Sequence, residues 1–201
     1  VLCQHIPMAH TRNKEEILTL LEGRKKVLIL SGHTHTVEKH HHSDHICELV
    51  LGAACGSWWT GETDEKEIPM ALQACGSPRN YFFIKFSGGD YRFHFQSAGA
   101  DNPHEMDVWI SGTVAKDREN PEFGEMEGNI LVNVYSGSVE TEVQMKIDDG
   151  EWMPLTYYPT VAPSVRRIIY RNKKGGYPSP GNRSTPLRKT ASPHIWTGAL
   201  P

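Results

Sequence analysis

The amino-acid sequence predicts an α/β segment followed by an all-β one, with strands outweighing helices overall. Two patterns carry that prediction. Residues 1–30 run apolar segment, amphipathic helix, apolar segment, which is the order of a βαβ unit. From Asn129 onward, short apolar and β-branched runs are separated by Gly, Pro and Asp turn signals, as in a β-sandwich.

Each element follows from its residues. Val1-Leu2-Cys3 reads as a strand end that runs into Gln4-His5-Ile6-Pro7. Asn13–Glu22 reads as a helix: Asn13 can cap it, Glu16 sits three residues on, and Ile17, Leu18, Leu20 and Leu21 make its apolar face before Gly23 stops it. Val27–Leu30 is a buried strand bounded by Gly32. The His-rich run that follows reads as an exposed loop. Ile46–Ala54 is an apolar strand leading into Gly56-Ser57-Trp58-Trp59, and Tyr81–Phe86 and Asp90–Gln96 flank Ser87-Gly88-Gly89 as a hairpin. The pattern weakens over 101–128, with one short strand at Asp107–Ile110. The second module then reads as strands at Asn129–Tyr135, Glu142–Ile147, Trp152–Tyr158 and Val165–Tyr170, with a Pro/Gly/Ser loop over 172–186 and His194-Ile195-Trp196 near the end. This divides the chain into 1–105, a connecting segment 106–128, and a β-module 129–201. The module reads as lacking a final strand, which leaves an edge open to self-association.

Bulk properties exclude little. Hydrophobic residues make up 38% and charged residues 22%, enough for a buried core, and the net charge of −3 makes no case for nucleic acid or a membrane surface. The charge is uneven: no Asp or Glu follows Glu151, so the last fifty residues carry +8 while the first 151 carry 13 basic against 24 acidic residues, or −11. Solvated loops and strand edges account for the basic end. No stretch approaches the ~20 apolar residues of a membrane span. The opening in mid-strand, without Met, reads as a fragment or a processed chain. Cys3, Cys47, Cys55 and Cys75 are spaced too irregularly for a zinc knuckle and read as buried free thiols.

Six histidines lie between residues 27 and 45. In an extended chain His33 and His35 point to the same side, just past the carboxyl end of a strand, where open α/β sheets place ligands. A lone HxH pair is a weak signal. His5 strengthens it, since a βαβ unit brings both strand ends to one sheet edge, and neutral imidazoles suit Zn, Fe, Mn or Ni. His40-His41-His42 cannot aim three side chains at one centre from a regular strand. A cupin-like reading fails on spacing, because Glu38 follows His35 too closely.

The pair "HIP" (residues 5–7) and, about 25 residues later, "LSGHTHT" (30–36) resembles the last two motifs of the calcineurin-like metallophosphoesterases. "LGAACGSWWTGE" (Leu51 to Glu62) resembles a stretch of a bacterial exported subfamily with an added C-terminal β-domain, and is the more specific match. The resemblance is densest over 1–99 and looser from 129 onward. It implies the C-terminal portion of a four-layer α/β/β/α catalytic domain, followed by the β-sandwich-like accessory domain. It also implies two divalent metals (Mn, Fe or Zn) that activate a hydroxide against a phosphate ester, with His5 and His33 on the second metal and His35 on the first. Trp58 and Trp59 would lie near the substrate pocket, and Arg79 could meet a phosphate, although Cys75 and Asn80 depart from the relatives' Gly-rich pattern there.

The remaining ligands of that family come from GDxH, GDxxD and GNHD motifs, none of which occurs in these 201 residues. The expectation is a chain with little or no phosphoesterase activity of its own and at most weak metal binding, cut from an active whole. Two other readings stay open: a non-enzymatic β-rich binding module with structural histidines, and a mononuclear hydrolase with His5, His33 and His35 as ligands.

Overall fold

The computed structural model of the chain describes residues 1–57, 72–99, 104–112, 129–175 and 187–200. Strand β1 (Leu2–Cys3), helix α1 (Lys14–Leu21) and strand β2 (Val27–Ser31) make the expected βαβ unit, with Leu2 opposite Ile29 and Cys3 opposite Leu30 in parallel register. Strand β4 (Ile46–Leu51) runs parallel on the far side of β2. Strand β3 (Val37–Ser43) closes the sheet antiparallel to β4, giving the order β1-β2-β4-β3.

Alternation splits this sheet into two apolar faces. Val27, Ile29 and Ile46 bury against Met8, which sits on a 3-10 turn (Met8–His10), and against Ile17, Leu18 and Leu21 of α1. Leu28, Cys47 and Leu49 face the opposite way and meet Ile84, Tyr91 and Phe93 of the hairpin β5 (Asn80–Ser87) and β6 (Asp90–Ser97). Helix, sheet and hairpin thus form three layers. Leu20, expected on the apolar face of α1, is 78% exposed. At 3.6 residues per turn it falls about 60° outside the arc that Ile17, Leu18 and Leu21 span. Asn13 does not cap through its oxygen either; its Nδ2 donates to Glu16 Oε2 at 3.4 Å.

The second sheet contains β7 (Met106–Ile110), β8 (Asn129–Val134), β11 (Thr156–Tyr157) and β14 (Ile195–Ala199), antiparallel in the order β11-β14-β8-β7. One face carries Ile130, Val132 and Trp196, covered by Leu155 and by Val143 and Met145 around the two-stranded β9 (Gln144–Met145) and β10 (Met153–Pro154). A further short pair, β12 (Thr160–Val161) with β13 (Ala191–Ser192), leads into and away from a helix. The chain is therefore β-rich, with several sheets.

Three sequence expectations are corrected here. Val165–Tyr170 is not a strand but part of helix α2 (Pro163–Gly175), which covers the other face of the second sheet: Val165 and Ile168 pack on Trp109, Leu131 and Ile195. Pro163 occupies the first helical position, where its fixed φ helps and its missing N–H costs nothing. Val165, Ile168 and Asn172 bury at a spacing of three and four, so packing on one face overrides the strand preference of the β-branched residues. The His-rich run is likewise not a loop. It is strand β3, and each histidine of the triplet has its own carboxylate: His40 Nε2 lies 2.9 Å from Glu38, His41 Nε2 3.1 Å from Glu140, and His42 Nε2 2.8 Å from Glu48. Of the cysteines, only Cys47 and Cys75 are buried; Cys3 and Cys55 are exposed, and all four are free thiols. Among the described residues no helix is long and apolar enough to cross a membrane.

Candidate metal centre

The ladder between β1 and β2 runs on past both strand ends. Gln4 N–H donates to Leu30 O at 3.0 Å, and Gly32 N–H donates to His5 O at 3.1 Å. These two bonds hold the residue after each strand beside its neighbour, so the βαβ order delivers His5 and His33 to one point. His5 Nε2 and His33 Nδ1 lie 3.0 Å apart, with the rings edge-to-face at 4.8 Å between centroids, and both residues are exposed. With metal–nitrogen bonds of ~2.1 Å, that separation is the one expected of two adjacent ligands at about 90° on a single ion.

His35 reaches the same turn by another route. The sequence argument from extended alternation does not hold, because residues 32–36 are not extended: His33 has φ 66° and His35 has φ 53°. Left-handed backbone costs a non-glycine residue roughly 1–2 kcal/mol. Two such residues within three positions mark stored strain of the kind that gathers at functional sites. The two rings have different partners: His33 meets His5, and His35 meets Gly56. His35 Nδ1–H donates to Gly56 O at 2.6 Å, which makes Nε2 its basic nitrogen, the arrangement by which a ligating histidine is usually oriented. Cys55 Sγ donates to the same carbonyl at 3.3 Å.

That contact gives a physical reading of the Leu51–Gly56 stretch. The chain turns sharply after β4 through Gly52 (φ 69°) and Gly56 (φ 66°), and the second turn presents its carbonyl to His35. A Cβ on Gly52 would stand 2.5 Å from Asn80 Oδ1. Asn80 is itself buried, donating to Leu51 O at 2.9 Å and accepting from Gln73 Nε2 at 3.1 Å. Thus Asn80 serves as a tie that shapes the turn. Arg79 stands just before β5, half-buried, its carbonyl accepting from Ala98 N–H at 2.7 Å. Trp58 and Trp59 lie outside the described residues.

The structure therefore brings His5 and His33 together and places His35 in the same turn, held from behind. Among the described residues no three His, Cys, Asp or Glu side chains converge so as to hold a metal ion. His5 and His33 would fit one side of a divalent-metal site, and among the described residues no carboxylate stands with them to bridge two ions. Sequence reasoning missed Glu48, whose side chain is completely buried. The available signal was a lone acid inside the apolar run "ICELVL" (46–51), on a strand buried on both faces.

A family model described as the C terminal of calcineurin-like phosphoesterase matches residues 48–201. No curated protein and no solved structure matches the chain.

Proposed function

The chain belongs to the calcineurin-like phosphoesterases, matching a C-terminal portion of such a protein, and from that premise we propose that it is the C-terminal part of a metal-dependent enzyme that hydrolyses phosphate esters. The observation that carries the reading is the convergence of His5 and His33 at 3.0 Å, at the end of a parallel strand pair and next to the strained His33–His35 turn. The family match begins at Glu48, beyond these histidines. Their assignment rests on the motif resemblance and this geometry.

On this reading His5 and His33 hold the second metal and His35 contributes Nε2 to the first. Bound there, two divalent ions would clamp the phosphoryl group and lower the pKa of the attacking water. The chain's own part is to orient. Gly32 N–H and His5 O set the spacing of one ligand pair, and Gly56 O fixes the tautomer of the third ring. The three layers of residues 1–99 would be the closing portion of the four-layer α/β/β/α domain. On the proposed division into 1–105, a connecting segment 106–128 and 129–201, the second sheet and α2 take the place of an accessory domain, with the connecting segment supplying its edge strand β7. Trp58, Trp59 and Arg79 are proposed for the substrate side.

The mononuclear reading needs three rings aimed at one point, and among the described residues that grouping is absent. The test compares this 201-residue chain with the longer protein by metal analysis and by hydrolysis of p-nitrophenyl phosphate and bis-p-nitrophenyl phosphate. The expected result is turnover and two metals per molecule in the longer protein, with neither in the chain alone. Full turnover by the chain would refute the proposal, and an inactive, metal-free longer protein would favour a non-enzymatic binding module.

A further inference from the structure

Glu48 is the most conspicuous side chain that the site as described leaves unused. It lies at the middle of β4, opposite Ile29 on β2 and His40 on β3, on the face that α1 and Met8 cover. Its residue exposure is 0%. That face is apolar toward Met8, Ile29 and Ile46 and polar toward Ser31, His40 and His42, and the carboxylate is fully engaged. Met8 N–H donates to both oxygens (3.0 Å to Oε1, 3.3 Å to Oε2), Ser31 Oγ donates to Oε1 at 2.6 Å, and His42 Nε2 lies 2.8 Å from Oε2.

Those partners are not arbitrary. Ser31 is the last residue of β2, two before His33. Met8 opens the 3-10 turn that follows His5-Ile6-Pro7. One carboxylate thus holds both limbs that carry the converging histidines. The third partner arrives by a local irregularity: between the pairs His41–Cys47 and Ser43–Ile46, β3 contains one extra residue, His42. Alternation already puts His42 on the face of Glu38 and His40, and the bulge leaves its imidazole against Glu48. A buried, hydrogen-bonded acid gains little net stability over an apolar side chain of similar size, so stability alone gives no reason to keep one between Ile29 and Ile46.

We propose that Glu48, steadied by His42, is a positioning residue for the metal site: it sets the separation of the His5 and His33 limbs through Met8 N–H and Ser31 Oγ. This inference rests on the assignment of His5 and His33 as ligands. It gives His42, one of three histidines the sequence reads as bystanders, a defined task two steps from the metal.

The experiment uses the full-length protein stripped of metal. Mn2+ affinity is read by titration calorimetry and folding by the thermal midpoint of the apo form, for wild type, Glu48→Gln, Ser31→Ala and His33→Ala. The expected result is a cooperatively folded Glu48→Gln protein with Mn2+ affinity at one site reduced tenfold or more, in the range seen when outer partners of metal ligands are removed, and a loss of about threefold for Ser31→Ala. A structural role alone would lower the thermal midpoint without changing the affinity of the folded protein. Affinity within twofold of wild type in folded Glu48→Gln would overturn the inference; if that variant does not fold, unchanged affinity in Ser31→Ala would overturn it instead. His33→Ala separates the two readings. Unchanged metal content in His33→Ala refutes the ligand assignment and the inference together, whereas loss of one metal there with no effect of Glu48→Gln refutes the inference alone.

Discussion

Two histidines away from the His5–His33 pair respond to pH in opposite senses. His194 is fully buried, with Nδ1 2.6 Å from Asn133 Oδ1 and 3.2 Å from Ser192 Oγ, and burial pushes its pKa down to about 4. The unfolded chain takes up a proton near pH 6.5, so below that pH protonation favours unfolding. Stability should be intact above about pH 6.5 and fall as pH drops toward 4, by an amount on the order of 3 kcal/mol. His40 behaves oppositely. Its hydrogen bond to Glu38, working against partial burial, raises its pKa, so its contribution is complete below pH 6.5 and is lost as pH rises through the folded value. Burial pushes Glu38 up, but hydrogen bonds from His40 and Thr36 outweigh it, and the net direction is down. Its contribution is present above about pH 4.5 and fades as pH falls through the folded value. Urea unfolding of the chain at pH 7 and pH 5 should show the midpoint falling at the lower pH, with a smaller fall in His194→Gln. Equal slopes in the two proteins would show that His194 does not carry the effect.

Helix α2 and strand β3 show where pattern reading stops. The βαβ unit, β4 and the Gly88-Gly89 hairpin were legible because their apolar spacing and turn residues agree with their packing. Residues 163–175 were not, because Val165, Ile168 and Ile169 suit a strand by shape and become helical through burial on Trp109 and Ile195. Strand β3 was hidden for the opposite reason: six of its seven residues are polar, and they sit in a strand because Glu38 within it, Glu48 masked by apolar neighbours and Glu140 distant in sequence receive the histidines. The site was half legible. The HIP and GHTH motifs named the three histidines, but no local rule foretold the left-handed turn or the buried acid. For α2 the packing argument predicts that Ile168→Ala costs about 2–5 kcal/mol in urea unfolding, while Leu20→Ala on α1, at 78% exposure, changes stability by under ~0.5 kcal/mol. Comparable losses in the two variants would contradict the burial assignment.

The two sheets meet over a joint built largely from the turn at residues 73–78. Cys75 packs with Val37, Phe95 and Tyr135, its carbonyl accepts from Asn133 Nδ2 at 3.2 Å, and Ser164 Oγ donates to Gly76 O at 3.3 Å. Lys39 on β3 pairs with Glu140 beyond β8 at 2.7 Å. The strand that supplies His42 to Glu48 is therefore also the strand that docks on the second sheet. Gly76 has φ 85°, and a Cβ there would lie 2.3 Å from Ala162 Cβ and 3.0 Å from Asn133 Nδ2. Gly76→Ala should part the joint, lowering stability by at least about 2 kcal/mol through overpacking and backbone strain. A thermal midpoint equal to wild type would show that the joint has room to give.

The His33–His35 turn also sets a direction for sequence change. Glycine would adopt φ 66° and φ 53° at less cost than histidine, by something on the order of 1 kcal/mol at each position. A library randomised at 33 and 35 and sorted for heat resistance alone should drift toward glycine, and the same library sorted for metal retention should return to histidine. The turn would then report, in its own composition, which of the two pressures it had been under.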